Sequence, residues 1–175
     1  MTLFANKLRM NKKSQPYPSP AVMGDESIMS QKAHGTSHTP VQENLRWKID
    51  TSKADKICNF NRHDAEHSWY YRTRLDFVKD ANSSSKMNFY DSNTGKPLFV
   101  VGGPDKRTIK EFLRKSALHG WSSFRDDEVN WEHTVITAGT HLGHNLPDKK
   151  GSRYCINLVS IAGRPTDDES NENDM

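Results

Sequence analysis

Cysteine is nearly missing from this chain: Cys58 and Cys155 are the only two in 175 residues. A pair so widely separated is not the framework that staples small secreted domains, and it fits a reducing compartment. Long apolar runs are missing as well. None approaches the roughly 20 residues a bilayer-crossing helix needs, and the start lacks a hydrophobic signal-peptide core. Apolar residues make up only 33% of the chain against 27% charged, little for a chain folded end to end, so part of it is expected to be disordered. Acids are absent from the first twenty residues and bases from the last ten.

Charge is uneven: net +2 over residues 1–45, +6 over 46–165 and −5 over 166–175. The central basic residues are scattered rather than clustered, so they read as a solvated surface and nucleic acid is not an expected partner. The acid-free basic start resembles an organelle (mitochondrion or plastid) transit peptide in composition. An ordinary basic tail on a cytoplasmic monomer is the simpler expectation.

Residues 1–45 are rich in Ser, Pro, Lys, His and Met without a sustained period, and read as a disordered, linker-like region. Residues 46–164 read as the folded domain and 165–175 as an acidic tail. Leu45, Trp47 and Ile49 alternate, as in a short strand or a docking segment. Ser68 to Val78 is aromatic and β-prone, which predicts a strand, and Asp80 to Ser85 a polar loop. Met87 to Tyr90 and Leu98 to Val101 read as strands joined by a tight turn, Asp91-Ser92-Asn93-Thr94-Gly95. Thr108 to Leu118 is the one clear helix, with Ile109, Phe112, Leu113 and Ala117 on one face and Gly120 as its stop. Arg125 to Glu128 is charged and loop-like. Val129 to Trp131 and Thr134 to Ala138 return to strand character.

The most chemically loaded stretch follows, Gly139 to Asn157. It holds His141, His144 and Cys155, with Pro147, Asp148 and Gly151 as turn residues between two strands. A strand period of two puts Arg153, Cys155 and Asn157 on one face and Tyr154, Ile156 and Leu158 on the other. A thiol between a guanidinium and an amide, with imidazoles nearby, is in a setting that lowers its pKa and makes a nucleophile. The alternative is a buried core cysteine. Val159 and Ile161 break the alternation, which calls for a bulge or a strand buried on both faces. A zinc module built from Cys58, Cys155, His141 and His144 has the right ligand count but irregular spacing. A Cys-His hydrolase would use Cys155 with His141 or His144, but lacks the local signatures of that class.

Gly-Thr-His-Leu-Gly-His-Asn-Leu-Pro-Asp followed by Arg-Tyr-Cys-Ile-Asn resembles the signature of methionine-R-sulfoxide reductases. Gly120-Trp121-Ser122-Ser123-Phe124 resembles that family's Gly-Trp-Pro-Ser-Phe block, and Lys96-Pro97-Leu98-Phe99 its Ala-Pro-Leu-Phe block. The likeness covers residues 88–162. It implies a mainly β, β-tent-like domain of two antiparallel sheets, and reduction of methionine-R-sulfoxide in oxidised proteins. It implies Cys155 as nucleophile, with His141, His144 and Asn157 binding and protonating the sulfoxide oxygen. Trp121 matches the wall against the substrate methyl group, with Phe124 beside it. Arg153 matches a positive charge next to the thiolate. A catalytically inactive interaction module on the same fold is the alternative.

The chain departs from the family pattern in three places. The two Cys-x-x-Cys pairs that hold a structural zinc in many members fall on Asp91 and Thr94 and on Val135 and Ala138, so no metal and no cofactor is expected, and hydrophobic packing should hold that end together. The usual resolving cysteine is His119. Cys58 is then the candidate resolving cysteine, and failing that thioredoxin or a similar dithiol acts on Cys155 directly. The proline of Gly-Trp-Pro is Ser122.

Overall fold

The computed structural model describes residues 2–4, 22–23, 39–59, 71–103, 108–109, 121–131 and 141–166. Within them the chain is strand-rich and mixed, with two antiparallel sheets and two α-helices. The strands are β1 (Thr2–Phe4), β2 (Val22–Met23), β3 (Lys86–Tyr90), β4 (Pro97–Gly102), β5 (Trp121–Phe124), β6 (Asn130–Trp131), β7 (His141–Asn145) and β8 (Tyr154–Asn157). The helices are α1 (Thr51–Asn59) and α2 (Tyr71–Asn82). The larger sheet has the order β2-β1-β7-β8-β5 and the smaller β3-β4-β6.

The sheets meet over aromatic rings. Phe89 of β3 stacks on Phe99 of β4 at 4.8 Å, Phe99 lies 4.8 Å from Phe124 of β5, and Phe124 lies 5.9 Å from Tyr154 of β8. Leu98, Leu142, Ile156 and Leu158 complete this fully buried layer. The expected alternation along β8 therefore holds, with Tyr154 and Ile156 turned into the core and Cys155 half-buried on the other face.

The helices correct the sequence reading. Of the strand expected over Ser68 to Val78, residues 68–70 lie outside the described residues and 71–78 are helical, and the helix continues to Asn82 through part of the expected Asp80 loop. Phe77 and Ala81, one turn apart, are buried, and Phe77 meets Trp47 edge-on at 5.0 Å. The β-propensity of the aromatics yields here to an apolar pair at i, i+4 spacing among charged residues. Ser83 and Ser84 hydroxyls donate to the Asp80 carbonyl and finish the helix. Helix α1 has its own start signal, since Asp50 Oδ1 accepts from the Lys53 N–H at 2.9 Å. Ala54, Ile57 and Cys58 face a second apolar cluster with Val41, Leu45 and Val159.

The N-terminal reading also changes. Residues 2–4 and 22–23 add two strands to the edge of the larger sheet, and Val41 and Leu45 are buried, so the folded unit begins before residue 46. These strands are two and three residues long, too short to show a period. Arg46–Lys48 is a 3-10 turn rather than part of a strand. The remainder of residues 1–38, the Thr134–Ala138 strand, most of the 108–118 helix and the tail beyond Thr166 lie outside the described residues, although Ile109 is in the core. Among the described residues no helix is long and apolar enough to cross a membrane.

Candidate active site on the larger sheet

Register assembles the site. Across β7 and β8, His144 is the Cα partner of Cys155. Directly opposed residues on antiparallel strands share a face and bring their Cβ atoms to roughly 4.5–5.5 Å. On the other flank of β8, Ser123 is the partner of Cys155 and Trp121 the partner of Asn157. His141 is a more delicate case. Three residues from His144, it would fall on the opposite face of a regular strand. The pairing with β1 shifts, however: Thr2 opposes His144 and Phe4 opposes His141. Thr2 and Phe4 share a face of β1, so the extra residue, Leu142, returns position 141 to the face of position 144. Positions 121, 141, 144, 155 and 157 thus occupy one face of one sheet.

Gly143 makes this approach feasible. A Cβ there would stand 2.0 Å from the Cys155 carbonyl oxygen and 2.9 Å from the Ile156 Cα. Only a residue without a side chain lets β7 lie this close to β8.

The strand ends on a fixed amide. Asn157 is fully buried, and its Oδ1 accepts from the Val159 N–H at 3.0 Å, starting the Leu158–Ile161 3-10 turn. This turn, not a bulge or a doubly buried strand, is why Val159 and Ile161 fall out of alternation. The bond to Oδ1 also assigns the amide, leaving Nδ2 as the donor end.

The turn joining β7 to β8 is pinned from outside. Arg125 donates to both carboxylate oxygens of Asp148, at 3.0 and 2.6 Å, and Asp148 also accepts from the Lys150 N–H at 2.8 Å. Chiefly the Arg125 bond, then the Lys150 N–H, holds the Asp148 carboxyl down at about 2. Asp148 and Gly151 exchange backbone bonds at 3.0 Å each. Sequence reasoning placed Arg125 in a loop and missed this role. Its signal was weak, a lone arginine 23 residues from its partner.

The cysteines differ from expectation. Cys155 and Cys58 are both free thiols. Burial pushes the Cys155 thiol above its ordinary value, and the charge of Arg153 pulls the other way without reversing it. The expected lowering is thus present as a force but is outweighed. Cys58 is 1% exposed, donates to the Ser160 hydroxyl at 3.7 Å and is pushed far up by burial. It lies on the buried face of α1, in the second apolar cluster. Phe124 is likewise a core ring, 1% exposed between Phe99 and Tyr154, not part of a substrate wall. Arg153 is half-buried, and its N–H donates to Asn145 Oδ1 at 3.3 Å.

The segment that aligns with the first missing zinc pair is held by polar bonds instead of apolar packing. Asp91 Oδ2 accepts from both the N–H and the hydroxyl of Thr94, at 2.9 and 2.7 Å. Ser92 is fully buried; its hydroxyl donates to the Val159 carbonyl at 2.5 Å and accepts from the Ala162 N–H at 3.0 Å. Asn93 Nδ2 donates to the Thr39 carbonyl at 2.6 Å. Gly95 closes the turn at φ +71°. Positions 135, 138 and 119 lie outside the described residues. Among the described residues no three His, Cys, Asp or Glu side chains come together as a metal would need.

No protein-family model matches the chain, and no solved structure matches it.

Proposed function

We propose that the protein is a methionine-R-sulfoxide reductase acting on oxidised proteins, on a β-tent-like fold without a structural zinc. The observation that carries the reading is the shared face. Cys155 is opposed by His144, Asn157 is opposed by position 121, and the β7 irregularity brings position 141 into phase with them.

The chemistry follows from these groups. The Cys155 thiolate attacks the sulfoxide sulfur. As the S–O bond weakens, its oxygen gains negative charge, which His141 and His144 stabilise, an imidazolium giving up a proton to it, while the buried Asn157 fixes the end of β8 beside Cys155. Oxygen leaves the substrate sulfur for Cys155, releasing methionine and a sulfenic acid. Trp121 supplies a flat apolar wall for the S-methyl group. A thiol then condenses with the sulfenic acid, expelling water and forming a disulfide that a second thiol reduces. The burial of Cys58 favours an external dithiol such as thioredoxin for both steps.

The test is turnover of a dabsylated methionine sulfoxide mixture with dithiothreitol, resolved by epimer. Loss of the R form alone, abolished in Cys155→Ser, is the expected result. Loss of the S form, or no turnover by a folded wild-type protein, rejects the reading.

A further inference from the structure

Away from this site, a groove of about 540 Å³ opens between the Arg46–Lys48 turn and α2. Its walls carry Arg46, Lys48, Lys79 and Arg164 against two acids, Asp76 and Asp80. Both acids are engaged within the groove. Asp80 Oδ2 accepts from the Trp47 indole at 2.9 Å, and Asp76 lies 3.9 Å from the Lys48 ammonium. Lys48 is 86% exposed, so its charge is spent mostly on solvent. Arg46 directs its two amino groups at the carbonyls of Asn88 and Ile161 and faces the Trp47 ring at 4.6 Å. It carries a buried Nε with no hydrogen-bond partner.

The backbone beneath is unusual. Trp47 sits at φ 60°, ψ 28°, and Lys48 at φ 54°, the only non-glycine residues of positive φ among those described. Consecutive left-handed residues with side chains persist only where their surroundings over-determine them, and such strain gathers at ligand clamps.

Arg164 forms one wall of the groove, and the chain runs on from it through Pro165 and Thr166 into Asp167-Asp168-Glu169-Ser170-Asn171-Glu172-Asn173-Asp174-Met175. Those last nine residues carry five acids and no base. We propose that the groove binds carboxylate-rich peptide and that its occupant is this acidic tail. The first acid is three residues from Arg164, a reach of roughly 10 Å in extended chain. Covalent attachment makes the local carboxylate concentration high, so exposed ion pairs that are individually weak hold together. The proposal is independent of the reaction at Cys155.

Zero-length carbodiimide cross-linking of the full chain at low salt, with peptide mapping of the monomeric product, tests it. Lys48 or Lys79 should be amide-linked to carboxylates of residues 167–174, with a yield that falls about tenfold in high salt, where the screening length shrinks to a few Å. Tail links spread evenly over Lys53, Lys149 and Lys150, or links found only in covalent dimers, would overturn it. A second measurement uses the full-length Lys48→Glu/Lys79→Glu variant, whose substitutions are at exposed positions. Its tail amide NMR shifts at low salt should coincide with those of the unmodified chain at high salt. Shifts unchanged from the unmodified chain at low salt would overturn it equally.

Discussion

At Cys155 two opposing effects meet, and the structure shows which is larger. Sequence spacing identified Arg153 as a charge that favours the thiolate, and it does act in that direction, but the desolvation of a half-buried thiol outweighs it. The consequence is testable without substrate. Alkylation of Cys155 by iodoacetamide should rise with pH through a midpoint above the ordinary thiol range. Arg153→Gln should move that midpoint higher and slow alkylation at neutral pH; an unchanged midpoint would show that Arg153 is electrostatically silent. Cys58 gives the companion case. Its folded-state pKa is raised, so above the ordinary thiol value of about 8.5 the unfolded chain has lost a proton that the native chain keeps, and stability falls as pH rises by up to about 1.4 kcal/mol per unit. Urea unfolding at pH 7.5 and 9.5 should therefore show Cys58→Ala losing about 1 kcal/mol less over that interval than the unmodified chain. Thioredoxin-supported turnover of Cys58→Ala should match the unmodified chain, as expected of a thiol 1% exposed; loss of turnover with thioredoxin but not with dithiothreitol would assign Cys58 the resolving step.

Elements were legible in proportion to how local their causes are. The β3–β4 hairpin and its Asp91–Gly95 turn, and the strand-turn-strand around Asp148, follow from neighbouring residues, and both formed as read. Helix α2 was misread because its decisive contact, Phe77 on Trp47, spans 30 residues of sequence and strand propensity is easily overridden by packing. Helix α1 had a readable signal in the Asp50 cap and the 54, 57, 58 spacing. The end of β8 turned on one side chain, Asn157, capping a 3-10 turn. The buried turn at 91–95 is the clearest case of an element held by one side chain: Ser92 ties it to Val159 and Ala162. Ser92→Ala leaves a buried N–H and a buried carbonyl without this partner, and should lower stability by about 1–3 kcal/mol in denaturant unfolding. A loss below the error of such a measurement would mean that the turn is held by its backbone bonds alone.

At the scale of the whole molecule, the face that gathers Cys155, His144, Asn157 and the register positions of Trp121 and His141 exists only because four strands from distant parts of the chain pair side by side. Its residue types, and the shared side of Cys155 and Asn157, were legible in the sequence; the place of His141 on that face was not, because the β7 irregularity that rephases it is defined against β1, more than 130 residues away. One residue joins the two sheets and the segment before α1. The Arg46 backbone N–H donates to the Ala162 carbonyl, and its guanidinium donates to Asn88 of β3 and Ile161 after β8, each at about 3 Å. Burial lowers its pKa to about 10, so the ion remains charged while resting on carbonyl oxygens and the Trp47 and Phe89 rings. A lysine keeps the charge but has no planar fork to reach two carbonyls at once. Arg46→Lys should therefore cost about 1.5–3 kcal/mol, the range for bonds to a charged donor. Because this residue bridges the sheets, the loss should appear as one cooperative transition, with the same midpoint shift by far-ultraviolet circular dichroism and by tryptophan fluorescence. Two separated midpoints would instead mean that the sheets unfold independently and that Arg46 only decorates the seam between them.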